Sequence, residues 1–170
     1  MLSVLTFQQW MEARRRRRRN GVRIGRTIEP LVRNTIHAAV VRDPAMLTTA
    51  LAALLDEKKA SKAVDIAFRV VVRVLWDVHR GEPNEPELRI LAHDVAGVET
   101  WARLDPDQVL TFLTETTAEV PYGMRTLPPE DTILMAFVVA GYLLSVHRCA
   151  DERWHNYLDR VERRIEAGHR

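Results

Sequence analysis

The stretch Ala63-Val-Asp-Ile-Ala-Phe-Arg-Val-Val-Val-Arg-Val-Leu-Trp-Asp-Val78 decides the fold. Its valines favour an extended strand, because branched side chains lose rotamer freedom against a helical turn. The run is nevertheless far longer than an ordinary strand. Asp65, Arg69, Arg73 and Asp77 also recur every fourth position, leaving one polar stripe on an otherwise apolar body. Asp65 with Arg69, and Arg73 with Asp77, are opposite charges at i, i+4, which support a helix. A helix from Ser61, its expected cap, to Arg80 is therefore predicted, with its apolar circumference buried.

A second apolar run, Ile133 to Val146, is fourteen residues long. A transmembrane helix needs roughly 20, so this run reads as a core helix within Glu130 to Arg148. Gly141 in its middle would let another helix approach closely. Helices that are apolar all round have no stable place at a surface, so Ala63–Val78 and Thr132–Val146 are expected to pack centrally.

Amphipathic helices surround this pair. Thr27 is the expected cap of a helix to Arg42, with Ile28, Leu31, Val32, Ile36 and Val40 at helical spacing and His37 on or beside that face. Asp43–Pro44 reads as a cap plus first-turn proline, opening a helix to Lys59 with Leu47, Leu51, Leu54 and Leu55 inward. Beyond the proline loop Gly81–Pro86 a helix spans Glu87 to Val95, with a turn at Gly97. Asp105–Pro106 opens another, to Glu119, and an irregular linker follows from Pro121 to Pro129. Asp151 to Ala167 forms a last helix, which either continues the one before or follows a kink near Cys149–Ala150. The expected fold is a single all-α domain, a bundle of six to eight helices with two central apolar ones, over residues 27–170. Residues 1–26 supply an arginine-rich helix, Thr6 to Asn20, and a glycine-containing connector.

Length and composition suit a domain that needs no disulfide: the chain has 170 residues and one cysteine, Cys149, at the end of an apolar helix where a small core residue is expected. A reducing, cytoplasmic compartment is the natural expectation. The short apolar patch before the arginines has the wrong order for an export signal.

Charge is the most informative feature. Residues 1–42 carry ten bases against two acids, and residues 43–170 carry fifteen against twenty-one, so a net +8 faces a net −6. The basic pole holds six consecutive arginines, Arg14, Arg15, Arg16, Arg17, Arg18 and Arg19, with Trp10 before them and Arg23 and Arg26 after. Such a cluster would neutralise phosphates while an aromatic ring stacks on a base, giving salt-dependent binding with little sequence preference. Arginine outnumbers lysine 22 to 3, so arginine is also the default base wherever a solvated positive face is tolerated. The acidic stretch Asp77–Asp131 holds twelve carboxylates against four arginines and offers a counter-surface within the chain or in a second copy.

Two weaker patterns suggest metal. His147, Asp151, His155 and Asp159 recur every fourth residue and share a stripe if the last two helices are continuous, although alternate members would stand about 12 Å apart. In Ile90-Leu-Ala-His-Asp-Val95, the pair His93–Asp94 resembles the signature dipeptide of the HD-domain metal-dependent phosphohydrolases, an all-helical family. That resemblance implies a metal held by His93 and Asp94 together with an upstream histidine and a downstream aspartate. Here His79 is separated from the pair by the proline loop and His37 is distant, while Asp151 or Asp159 would have to supply the last ligand. There is no Gly-rich phosphate loop, dinucleotide fingerprint or Gly-x-Ser-x-Gly, and no cofactor is implied. The expected function is a non-enzymatic binding or adaptor protein engaging nucleic acid or an acidic protein surface. The alternatives are an HD-like phosphohydrolase and a self-associating helical scaffold, possible as a homo-oligomer.

Overall fold

The computed structural model describes residues 23–56 and 59–168. The helix expected over Thr6–Asn20, with Trp10 and Arg14–Arg19, lies outside the described residues. Among those described there are seven α-helices and no strand: α1 (Glu29–Val40), α2 (Pro44–Asp56), α3 (Ala60–His79), α4 (Glu85–Val98), α5 (Pro106–Thr117), α6 (Pro129–Val146) and α7 (Trp154–Ala167). Short 3-10 turns at Thr100–Ala102 and Tyr122–Met124 link α4 to α5 and α5 to α6.

The valine-rich stretch is α3, and its polar stripe is ion-paired as the spacing predicts. Arg69 Nε meets Asp65 at 3.1 Å and Arg73 Nη2 meets Asp77 at 3.0 Å. The remaining circumference, including Val64, Ile66, Val70, Val71, Val74 and Leu75, is buried. Helix α6 packs along α3, α1 crosses α6, and α7 lies over both α3 and α6; α4 pairs with α5, which joins the rest through α3 and α6. Where α1 crosses α6, a Cβ at Gly141 would stand 2.9 Å from the Ala39 Cβ and 3.3 Å from the Val40 amide nitrogen. Only a residue without a side chain allows that approach. By length and composition α6 is the one described helix apolar enough to cross a bilayer, and 61% of it is buried inside the bundle.

Capping follows the sequence at some ends and departs from it at others. Asp43 accepts from Met46 N at 2.9 Å, and Asp105 accepts from Asp107 N at 2.9 Å and Gln108 N at 3.1 Å. Asp105→Ala is expected to cost about 1 kcal/mol, read as a lower urea midpoint; an unchanged midpoint would show that solvent caps α5 equally well. Thr27 does not cap α1. That helix starts at Glu29 with Pro30 in its first turn, and the Gly25 carbonyl accepts from both Ile28 N and Glu29 N. Nor does Ser61 cap α3, whose N-cap position is Lys59. Helix α4 begins earlier than expected, because Asn84 and Glu87 form a reciprocal capping box with Pro86 inside the first turn, and it runs through Gly97 to Val98. Leu55, expected inward, is 60% exposed.

Of the two alternatives for the last helices, the structure has the break, and it is a full turn around Cys149–Ala150, not a small kink. Helix α6 stops at Val146, and Arg148 folds back to donate to the Ser145 and Glu152 carbonyls at 3.2 and 2.8 Å. Glu152 in turn accepts from Cys149 N and is clasped by Arg160. Cys149, expected as a core residue, is exposed in this turn. His147, Asp151, His155 and Asp159 therefore do not form one helical stripe.

Candidate anion-binding surface

The basic pole enters the bundle at Ile24, whose amide donates to Glu166 Oε1 of α7 at 3.0 Å while its side chain joins the core. Arg23 and Arg26 flank this anchor and are exposed, and among the described residues neither meets a carboxylate. The Cβ position of Gly25 lies 3.7 Å from the Lys62 ammonium at the start of α3. Lys62 thus approaches the connector at Gly25, which lies between the exposed Arg23 and Arg26 in sequence. Lys62 is a member of this patch that the sequence alone does not place there, since the contact depends on the packing of α3 under the connector.

The other two early arginines serve internal contacts. Arg33 on α1 donates through Nε to Glu29 at 3.0 Å, and through Nη2 to Asp159 at 2.5 Å and to Glu162, both on α7. Arg42 meets Glu99 at 3.2 Å, and Glu99, only 3% exposed, also accepts from Trp101 Nε1 at 2.5 Å. This buried carboxylate ties the end of α1 to the end of α4.

Much of the acidic stretch Asp77–Asp131 is likewise committed within the fold. Asp77 binds Arg73 and Arg164, Glu85 binds Arg89, and Glu87 closes its capping box beside His79. Asp105 caps α5 and Glu115 accepts from Thr126 N. Asp107, Glu130 and Asp131 lie in first turns, where the helix dipole favours a carboxylate. This surface is a weaker counter-charge for the arginine run than its composition implies.

One further charge is internal. The Arg125 guanidinium lies 3.7 Å over the Phe68 ring centroid and donates to Thr116 Oγ1 at 2.8 Å and to the Val120 carbonyl at 3.2 Å. Burial pulls it down to about 10, with Glu115 and Asp65 partly offsetting that cost. It fastens the Pro121–Pro128 linker to α5 and α3 and belongs to the core.

The suggested metal ligands are dispersed. His93 and Asp94 are both exposed on α4. His147 is half-buried at the end of α6, where burial and then His79 hold its imidazole below the ordinary range. Asp151 is exposed in the turn. His155 at the start of α7 lies edge-on to Trp154, which itself stacks on His37 at 5.7 Å between ring centroids. Among the described residues, no group of three or more His, Cys, Asp or Glu side chains could hold a metal ion. A shallow cleft of about 240 Å³ lies at this end, lined by Val40, Ser145, Arg148, Arg153, Trp154 and His155. No protein family, curated protein or solved structure matches this chain, so its reading rests on its own residues.

Proposed function

We propose that this chain is a non-enzymatic helical binding protein whose basic N-terminal segment engages a polyanion, with the phosphate backbone of nucleic acid as the partner class. In this reading Arg14–Arg19, Arg23 and Arg26 neutralise phosphates and Trp10 supplies a stacking surface. The observation that carries it is the asymmetry of commitment between the two charge poles. Arg23 and Arg26 stand exposed on either side of Gly25, which Lys62 approaches, whereas the acidic middle is largely engaged in caps and ion pairs within the fold.

The test is a titration of a labelled, mixed-sequence single-stranded oligonucleotide across a salt series. Single strands release about 0.7 counterion per neutralised phosphate, so replacing all six arginines of 14–19 with glutamine should flatten the slope of log K against log salt by up to about 4. At low salt the affinity should fall by about 100-fold or more. Equal affinities and slopes for the two proteins would defeat the proposal. Loss of affinity for an acidic polypeptide, with the oligonucleotide unaffected, would reassign the segment to protein surfaces.

A further inference from the structure

The shallow cleft between α6 and α7 is a second place where positive charge goes unanswered. It opens where α6 stops and α7 begins, beside the end of α1, and is lined by Val40, Ser145, Arg148, Arg153, Trp154 and His155. Ile24 is anchored on Glu166, near the other end of α7, and the helix between Trp154 and Glu166 is about 18 Å long. The cleft is therefore a different surface from the one that carries Arg23 and Arg26.

Two guanidinium groups line this cleft and, among the described residues, no carboxylate does. Arg148 is held by the Ser145 and Glu152 carbonyls at 3.2 and 2.8 Å, neutral acceptors that fix its direction without cancelling its charge. The other N–H groups of its fork remain for an anion. Arg153 is exposed and meets no carboxylate among the described residues. Glu152, beside it in sequence, is clasped by Arg160, and Asp151 is exposed in the turn, outside the lining. The Ser145 hydroxyl donates to the Gly141 carbonyl at 2.7 Å, which leaves it only as an acceptor, so an anion in the cleft falls to the two arginines.

The rest of the wall is aromatic. Trp154 is half-buried, with His37 stacked on it at 5.7 Å and 20° between planes and His155 edge-on at 5.7 Å. His37 and the packing of Trp154 against the core hold the indole in place. An indole beside two uncompensated guanidinium forks suits a ligand that joins a phosphate to a flat ring, because the forks match phosphate bidentately and a base stacks on the ring. At about 240 Å³ the cleft is smaller than the roughly 300–1,000 Å³ of sites that enclose a drug-sized ligand, so it takes one such unit and no extended cofactor. We propose that the cleft between α6 and α7 is a nucleotide site in which Arg148 and Arg153 hold the phosphate and Trp154 stacks on the base, the nucleotide being free or part of a single strand. The site stands apart from the polyanion reading above, since none of its residues belongs to the basic N-terminal segment.

The deciding experiment uses the full chain with Arg14–Arg19 changed to glutamine, so that the basic segment contributes nothing, and the same chain carrying Arg153→Gln or Trp154→Leu. Thermal melts confirm that each protein is folded, and Arg153→Gln, on an exposed side chain, keeps the test open should Trp154→Leu disturb the core. Calorimetric titrations at low salt use AMP, ribose 5-phosphate and hexaadenylate. AMP should bind about tenfold more tightly than ribose 5-phosphate, the gain from one base stacked on an aromatic ring, and Trp154→Leu should erase that difference. Arg153→Gln should weaken AMP by about tenfold through the lost charged hydrogen bonds. Binding of AMP assigns the cleft to free nucleotides; binding of hexaadenylate alone, weakened by Arg153→Gln, assigns it to single strands. No binding of either probe, equal affinity for AMP and ribose 5-phosphate, or affinities unchanged in both variants would overturn the proposal. Each of these results leaves the salt-slope test of Arg14–Arg19 untouched.

Discussion

Gly141→Leu is expected to destabilise the bundle by about 3 kcal/mol, a large part of the roughly 5–15 kcal/mol that holds a domain together. Even the first added atom would stand 2.9 Å from the Ala39 Cβ and 3.3 Å from the Val40 amide nitrogen. The second of these is backbone, so no rotamer change relieves it, and α1 must move off α6. That displacement would also disturb Arg33 and Arg42, which α1 delivers to Glu162 and Glu99. Gly97 supplies the control, because a Cβ there meets nothing within 4 Å. Gly97→Ala in the last turn of α4 should gain about 0.5 kcal/mol from helix propensity. Denaturant melts of the two variants should therefore shift in opposite directions, and a Gly141→Leu midpoint equal to the parent's would show that the α1–α6 crossing is slack.

Features governed by neighbours along the chain were legible in the sequence, and those governed by distant partners were not. The ion-paired stripe of α3, the aspartate caps of α2 and α5, and Gly141 as a helix crossing point all follow from local spacing or from a single residue's chemistry. The capping box at Asn84 was also available, since Asn-x-x-Glu is its signature, but Pro86 reads as a loop residue when its tolerance in a first helical turn is overlooked. At the break after Val146 the sequence allows either continuity or a small kink near Cys149–Ala150, and nothing local decides between them. His147 to Arg153 contains neither glycine nor proline, and the turn is held by Arg148 on two carbonyls and by Arg160 reaching back to Glu152. Leu55 fits the apolar period of α2 yet is 60% exposed, on the flank turned away from the core that Leu47 and Leu54 enter. For the candidate site, the basic pole could be read from composition, but how each charge is used could not. That Arg33 and Arg42 are committed to buried carboxylates while Arg23 and Arg26 are exposed depends on how α1 packs against α7 and the end of α4.

Glu162→Gln is expected to stabilise the protein at pH 8, an unusual outcome for removing a partner of a buried ion pair. Loss of one partner ordinarily strands the other charge. Arg33, however, keeps Glu29 and Asp159, and glutamine still presents an oxygen to it. What disappears is the cost of ionising a buried carboxyl that sits beside two others. Its folded value of about 7 stands above the ordinary 4.5. The folded state therefore holds this proton between those limits while the unfolded chain has released it, and stability is lost as the pH rises from about 4.5 through 7. Above 7 the parent bears the full cost, so glutamine should gain about 1–3 kcal/mol there and almost nothing below pH 4.5. The measurement is a pair of melting curves across pH 4 to 8.5 in roughly 0.5 M salt, which screens exposed charges far more than buried ones. The parent should lose stability between pH 5 and 7.5 and the variant should follow a flatter line; superimposable profiles would show that Arg33 alone satisfies Glu162.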